Sequence, residues 1–271
     1  MYLRAIHAEP DILALRHFIR ENPLGILVTA LPSTNYPTLQ CTHIPWVLDV
    51  IDEDSKTELG VLRGHLAKQN PHSKAMMEAV ERVSKTSSNG RLEEEVSVIF
   101  TGPIHSYVTP KFYVETKPNT GKVVPTWNYS AVQAYGRATI FFDSQSDATG
   151  TFLGKQIMDL TNHAERTIMN HTGIGGRPAP WEVTDAPSSY IDILKKSIIG
   201  IEITIDRLEG KYKMSQEMSL GDREGVIEGF ESLGTDDGVL MAKTVQERGA
   251  MKDALRERQQ RERQSNKQGD D

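Results

Sequence analysis

The first half of the chain alternates between short apolar runs and polar turns, a pattern that predicts β-strands. The predicted strands are residues 24–30, 38–49, 59–67, 95–102, 104–108 and two segments within 123–143. Helical spacing of apolar residues predicts helices over 10–21 and 72–84, the second with Asn70 as its N-cap and Pro71 in its first turn. Six or seven strands at short spacing indicate a barrel or a sandwich.

The second half of the chain is more helical. The pattern predicts helices over about 147–170 and 187–198, a strand over 199–215, and a short helix capped by Ser219. Polar segments at 85–90 and 115–122 are predicted to be loops. We therefore expect a domain over residues 1–234, followed by a charged tail over 235–271 that is a solvated helix or disordered and lies outside the core.

Composition narrows the class of protein. The 271 residues are 38% hydrophobic and carry a net charge of −6, which argues against a protein whose main partner is nucleic acid. No run has the length of a membrane span or of a signal-peptide core, so a cytoplasmic location without membrane attachment is expected. The single cysteine, Cys41, excludes an internal disulfide and a thiolate-cluster metal site, and we expect it to be a small buried apolar residue.

Polar side chains cluster in four segments that are otherwise predicted to be strands or strand ends. These segments are 42–45, 63–71, 124–129 and 210–216. None of them matches a phosphate-binding loop, a dinucleotide-binding fingerprint or a metalloprotease helix. They are therefore candidates for a different kind of site.

The same segments carry a resemblance to a known family. The strings THIP, RGHLAKQNP, FTGPIHSYVTPKFY, KVVPTWNYSAVQAYGR, WEVTDAPSSYI, IIGIEITIDRLEGKYKMSQ and DREGVIEGF resemble, in order, the motifs of the PaiB-type FMN-binding split-barrel proteins. The resemblance implies an α+β, mainly β fold, namely a split β-barrel with flanking helices. It also implies a homodimer with FMN held where the two subunits meet. Independently of the resemblance, no metal site is expected, because the chain has a single cysteine and His163 and His171 are too widely spaced to resemble metal ligands.

FMN combines a dianionic phosphate with a polyol and a flat ring, so its site needs cations, polar donors and aromatic or apolar walls. We expect the phosphate beside a first group of residues on neighbouring strands and at the start of a helix: Thr42, His43, Arg63, His65, Lys68 and Asn70. The alternatives are structural histidines at His43 and His65, and a solvated surface pair at Arg63 and Lys68.

A second group of residues is expected at the ring of the flavin. Trp127, Asn128 and Tyr129 are candidates to line it, with core packing of the two aromatic residues as the alternative. Alternation along an extended segment predicts that the side chains of Lys211, Lys213, Ser215 and Gln216 point the same way. These residues complete the flavin pocket or bind an anionic substrate, unless they are simply exposed to solvent. Of the four, Lys213, Ser215 and Gln216 are the candidates for FMN binding.

Three functions follow as hypotheses. The first is a flavin-dependent oxidoreductase acting on a small molecule, in which the cofactor carries the redox chemistry and the protein needs no acid–base pair. Only His105 and Tyr107 are candidates for handling a proton. The second is a negative transcriptional regulator, the label of the PaiB-type family, and the third is a haem-binding or haem-degrading split barrel.

Overall fold

A computed structural model describes residues 1–83 and 89–268, without the side chains of residue 89 and of residues 263–268. The chain divides into two compact units. The first unit contains Met1–Pro10, Thr101–Ala131 and Glu209–Asp271, and the second contains Asp11–Phe100 and Val132–Leu208.

Strands and helices are interspersed along the described residues. The strands are β1 (Ala8–Glu9), β2 (Leu24–Ala30), β3 (Leu39–Pro45), β4 (Val47–Asp49), β5 (Val61–Ala67), β6 (Asn89–Arg91), β7 (Val96–Thr101), β8 (Ser106–Val108), β9 (Thr126–Phe141) and β10 (Ile198–Lys213). The helices are α1 (Ile12–Glu21), α2 (Pro71–Val83), α3 (Thr116–Thr120), α4 (Asp147–His163), α5 (Ser188–Lys196), α6 (Leu220–Glu231) and α7 (Asp236–Gln268).

The second unit is built on one curled antiparallel sheet with the strand order β3-β2-β7-β9-β10-β5-β4. The curl brings β3 against β5, although the two are far apart in that order. A Cβ atom on Gly64 of β5 would lie only 3.0 Å from the side chains of Ile44 and Trp46. This close approach closes the sheet on itself, and the expected α+β split barrel is confirmed.

The first unit has its own apolar core. Strand β8 pairs with the start of β9, and β1 pairs with the end of β10. Helices α6 and α7 pack together over buried side chains that include Val226, Phe230, Met241, Ala242 and Val245. The first half of α7 is therefore part of a core, which differs from the expectation of a solvated tail. The helix becomes exposed only further along, where charged residues follow one another.

Most predicted elements are present with nearly the expected bounds. Asn70 accepts a hydrogen bond from the His72 amide at 2.9 Å, and Ser219 accepts one from the Asp222 amide, so both predicted helix caps are confirmed. The predicted loop at 115–122 instead contains α3, and the two predicted segments within 123–143 form one long strand, β9. Positions 85–88 of the predicted loop at 85–90 lie outside the described residues.

The expectation that Cys41 is buried is wrong. Its side chain is exposed on β3. Strand β3 is at the end of the strand order, and within residues 1–83 and 89–268 no strand is hydrogen-bonded to its outer edge, although β3 approaches β5. Its residues alternate between partly covered and exposed positions. Burial of a free cysteine is a statistical tendency, and the position of the strand overrides it here.

Candidate functional site

The twelve residues predicted to bind FMN fall into two groups of six, one in each unit. The second unit contains Thr42, His43, Arg63, His65, Lys68 and Asn70. The first unit contains Trp127, Asn128, Tyr129, Lys213, Ser215 and Gln216.

The Arg63 side chain forms hydrogen bonds and ion pairs within the chain. The residue is only 3% exposed. It donates to both carboxylate oxygens of Asp49 at 2.5 and 2.8 Å, to Asp159 at 2.6 Å, and to the side-chain oxygen of Gln156 at 3.2 Å. Two carboxylates already compensate its charge, so this side chain does not fit the predicted role of a phosphate contact.

The residues around the start of α2 also have structural partners. Thr42 hydrogen-bonds one ring nitrogen of His72 at 2.8 Å, and Thr29 hydrogen-bonds the other at 2.9 Å. Burial lowers the pKa of His72 to about 4, so the ring is neutral at pH 7. Lys68 donates to the backbone oxygen of Phe142 at 3.0 Å.

His43 and His65 differ in their surroundings. His43 lies exposed on β3, one residue from Thr42. The Nδ1 atom of His65 is buried without a hydrogen-bond partner, and its ring lines a cavity in the second unit. Of the six residues in this group, Asn70 is the helix cap already described. The group therefore does not form one open phosphate site.

In the first unit, three predicted site residues have hydrogen-bond partners within the chain. Asn128 and Ser215 are fully buried and hydrogen-bond each other at 3.0 and 3.1 Å. The amide nitrogen of Gln216 donates to the Ile6 and Tyr212 backbone oxygens, and its oxygen accepts from the Met214 amide. The expectation that Ser215 and Gln216 share one direction with the lysines is wrong, because β10 ends at Lys213 and Ser215 turns the backbone with φ at 58°.

The other predicted residues of the first unit meet at an open pocket of about 350 Å³, which we call the cationic pocket. Its lining residues are Tyr2, Arg4, His7, Thr126, Trp127, Tyr129, Lys211 and Lys213. The pairing of β1 with β10 places the N-terminal segment beside the two lysines, with Ala8 opposite Lys211. Alternation along β10 points both lysines to the same side, as predicted.

Three positive charges face this pocket. The Lys211 ammonium lies 5.2 Å from the centre of the Tyr129 ring, within cation–π distance. Lys213 donates to the Thr126 hydroxyl and, at 3.1 Å, to the Trp127 backbone oxygen. Arg4 is exposed at the rim.

These charges repel one another. Burial lowers the pKa of Lys213, and the positive charges of Lys211 and Arg4 lower it further, whereas Glu217 acts in the opposite direction. An anion bound among the three cations would relieve this repulsion. The pocket is therefore suited to a negatively charged group.

The aromatic wall of the pocket continues onto the surface. Trp127 is 49% exposed, and its indole nitrogen donates to His105 at 3.4 Å. Tyr107 meets the same indole edge-on, with ring centres 6.3 Å apart. The two residues suggested for proton handling therefore lie beside Trp127, and the group can stack a flat ring.

Tyr2, Arg4 and His7 are not among the site residues predicted from the sequence. They belong to no strand of recognisable pattern, and only the pairing of β1 with β10 brings them to the lysines. A basic and an aromatic residue within the first four positions are too weak a signal to single out. Lys211 belongs to the predicted alternating segment but not to the predicted FMN site.

Comparison with known proteins identifies the family of this chain. A family model described as "Putative FMN-binding domain" matches residues 1–207. The chain belongs to this family. The PaiB-type resemblance is thereby confirmed.

Its relatives include proteins of fungi and bacteria. An uncharacterized protein of Aspergillus fumigatus is 60% identical over 260 residues, covering 93% of this chain and 99% of that protein. The protease synthase and sporulation protein PAI 2 of Bacillus subtilis is 24% identical over 247 residues, covering 91% and 95%. The structure of the flavocytochrome Anf3 from Azotobacter vinelandii is similar with a TM-score of 0.42 and 10% identity, covering 78% of this chain and 72% of that chain. Similarity at this level does not identify a ligand of this chain.

Neither a metal-ligand cluster nor a membrane-spanning helix occurs in the part of the chain that the structure describes. Within residues 1–83 and 89–268, no three His, Cys, Asp or Glu side chains are grouped as metal ligands. None of the helices in this part of the chain combines the length and apolarity that a membrane span requires.

Proposed function

We propose that the chain binds FMN non-covalently in the cationic pocket and uses it to transfer electrons or hydride to a small molecule. The observation that carries the proposal is the convergence of Arg4, Lys211 and Lys213 on a pocket walled by Trp127 and Tyr129. Membership of a family described as FMN-binding supports the same ligand.

The residues present fit the group. A phosphate dianion matches the two lysines and Arg4, because charge-assisted hydrogen bonds to phosphate are stronger than neutral ones. The Thr126 hydroxyl adds a further polar partner, and the exposed Trp127 face can stack on the isoalloxazine ring. The volume of about 350 Å³ lies within the range of cofactor sites, about 300–1,000 Å³.

The decisive test compares FMN with riboflavin, which lacks the phosphate. We expect Lys211→Gln and Lys213→Gln each to weaken FMN binding by about 10- to 100-fold, since a hydrogen bond to a charged group contributes about 1.5–3 kcal/mol. Riboflavin affinity should change little in the same variants. Lys243→Gln, on the exposed face of α7, is the matched control and should change neither affinity.

The affinities are measured by calorimetric titration, with circular dichroism as a check on folding. Equal affinity of the wild type for FMN and riboflavin would contradict the phosphate assignment. So would unchanged FMN affinity in the double lysine variant. FMN affinity should also fall as the pH rises through the lowered pKa of Lys213, because the neutral amine no longer attracts the phosphate.

The redox part of the proposal is tested separately. A bound flavin supplies the electron chemistry, and the protein supplies binding and electrostatics. We expect NADH or NADPH, added without oxygen, to bleach the visible absorbance of the bound flavin. Flavin that binds but is reduced by neither nucleotide would leave FMN binding in place and contradict the nicotinamide-dependent activity.

We also propose that two copies of the chain associate beside this pocket. The exposed rings of Tyr107 and Trp127 at the aromatic wall give an apolar surface that a second copy could cover. Light scattering after size-exclusion chromatography should give twice the monomer mass. A Trp127→Glu variant should shift the mass toward the monomer, and a monomeric wild type would contradict the proposal.

A further inference from the structure

A carboxylate, that of Glu217, lies beside the cations of the cationic pocket. Its Oε1 atom is 3.9 Å from the Lys213 ammonium, and its Oε2 atom is 3.1 Å from Nε2 of His7. Burial lowers the pKa of Lys213, and the charge of Glu217 opposes this shift. The pocket therefore has a built-in negative charge next to one of the cations proposed to bind phosphate.

The Lys213 ammonium keeps one N–H group for a ligand. It donates one hydrogen bond to the Thr126 hydroxyl and a second to the Trp127 backbone oxygen. At 3.9 Å, Glu217 is beyond hydrogen-bond distance, so its charge acts on the ammonium without occupying the third N–H group. An anion can therefore bind Lys213 while Glu217 stays in place, and the carboxylate then repels the bound anion.

His7 holds this carboxylate in position. A carboxylate only accepts hydrogen bonds, so Nε2 of His7 donates to Glu217. The His7 residue is 3% exposed, and the pairing of β1 with β10 fixes the segment that carries it. The three cations of the pocket and this one carboxylate leave an excess of two positive charges. That excess matches a phosphate monoester, whose charge at pH 7 is about −2.

We propose that Glu217 determines which anions the cationic pocket accepts, by weakening the binding of each ligand in proportion to its negative charge. The inference rests on the proposed binding of FMN in this pocket. Coulomb energy is proportional to charge, so the penalty is larger for a phosphate monoester than for a monoanion, and larger still for nucleoside di- and triphosphates. The flat bases of these nucleotides can stack on the same aromatic wall, so stacking alone does not exclude them. Glu217 supplies the repulsive element that does.

The test replaces Glu217 by glutamine, which has nearly the same shape and can still accept the hydrogen bond from His7 but carries no charge. Calorimetric titration of the full-length protein at pH 7 gives the dissociation constants of four ligands of increasing charge: riboflavin, its cyclic phosphate diester, FMN and ADP. In an open, water-filled pocket, a unit charge a few ångströms away changes the affinity for a monoanion by about threefold. We therefore expect Glu217→Gln to leave riboflavin unchanged and to tighten the cyclic diester about threefold, FMN about tenfold and ADP about 30-fold.

Two further variants separate charge from packing. Glu217→Asp keeps the carboxylate and should retain the wild-type affinities, whereas an effect of lost packing would appear in this variant as well. Glu247→Gln removes a carboxylate that lies 3.8 Å from Lys243 on the exposed face of α7, and it should change no affinity. In about 1 M salt, where the Debye length is about 3 Å, the gains in Glu217→Gln should shrink toward one.

Three results would overturn the proposal. They are FMN affinity that is unchanged or weaker in Glu217→Gln, a gain that does not increase with the charge of the ligand, and Glu217→Asp affinities equal to those of Glu217→Gln. Each can occur while the wild type still prefers FMN to riboflavin, and the proposed function would then stand without this role of Glu217. A wild type that does not prefer FMN to riboflavin would contradict both.

Discussion

Replacing Arg63 by methionine tests whether this residue is structural or binds the cofactor. The substitution keeps most of the apolar stem and removes the guanidinium, which leaves Asp49 and Asp159 without their shared cation. Removing one partner of a buried ion pair costs about 3–5 kcal/mol of folding free energy.

Two features of the structure reduce the expected loss of folding free energy. The carboxylates of Asp49 and Asp159 are 42% and 38% exposed, so water screens part of their repulsion. Lys155 lies 2.5 Å from Asp159 and compensates part of its charge. We therefore expect a loss of about 2–3 kcal/mol, which corresponds to a fall in melting temperature of roughly 5–10 °C.

The stability loss is measured by urea unfolding followed by circular dichroism, at pH 7 and again at low pH. Burial raises the pKa of Asp159, but hydrogen bonds from Lys155 and Arg63 outweigh it, so the net pKa is below the ordinary value. The stabilisation from Asp159 is therefore present above the unfolded-state pKa and is lost as the pH falls through the folded pKa. The variant and the wild type should converge in stability as the medium becomes strongly acidic.

Arg258→Met is the matched control, because Arg258 forms an exposed pair with Glu262 on α7 and should contribute less than about 0.5 kcal/mol. FMN affinity of the folded Arg63→Met protein should equal that of the wild type. The reasoning is refuted if Arg63→Met keeps wild-type stability while FMN affinity falls tenfold or more, since Arg63 would then be a phosphate contact.

Three further predictions concern the stability of the fold. Because of His72, the free energy of unfolding should decrease by up to about 3 kcal/mol as the pH is lowered from about 6.5 to 4, since the ring binds a proton in the unfolded chain but not in the folded one. His72→Phe should remove this pH dependence, and His17→Gln, at an exposed histidine, should not. Gly136→Ala should destabilise the protein by about 1–3 kcal/mol in urea unfolding, because the new Cβ would lie 2.0 Å from the Thr204 backbone oxygen; Gly150→Ala, with open space around it, should not. Met241→Ala should cost about 2–5 kcal/mol, because the side chain is fully buried, whereas removal of residues 257–271 should leave the melting temperature unchanged. Unchanged stability in Met241→Ala would place this part of α7 outside the core.

The family and most of the secondary structure could be predicted from the sequence. Strand and helix patterns depend on neighbouring residues, so β2, β5, α1 and α2 were found with nearly their observed bounds. The caps at Asn70 and Ser219 are equally local, since each side chain bonds a backbone amide two or three residues away. Seven motifs in the family's order were enough to indicate the fold without any knowledge of contacts.

The partners of each polar side chain were decided by tertiary structure. Arg63 has the residue type and strand position of a phosphate contact. Its charge is, however, compensated in part by Asp159, which lies 96 positions further along the chain. Conversely, Arg4 acquires a candidate role only because β1 pairs with β10. Alternation fixes the side of a strand to which a residue points, whereas what it meets there depends on segments distant in sequence. The sequence therefore determined which residues could bind an anion, and the packing of distant segments decided which of them remain available to do so.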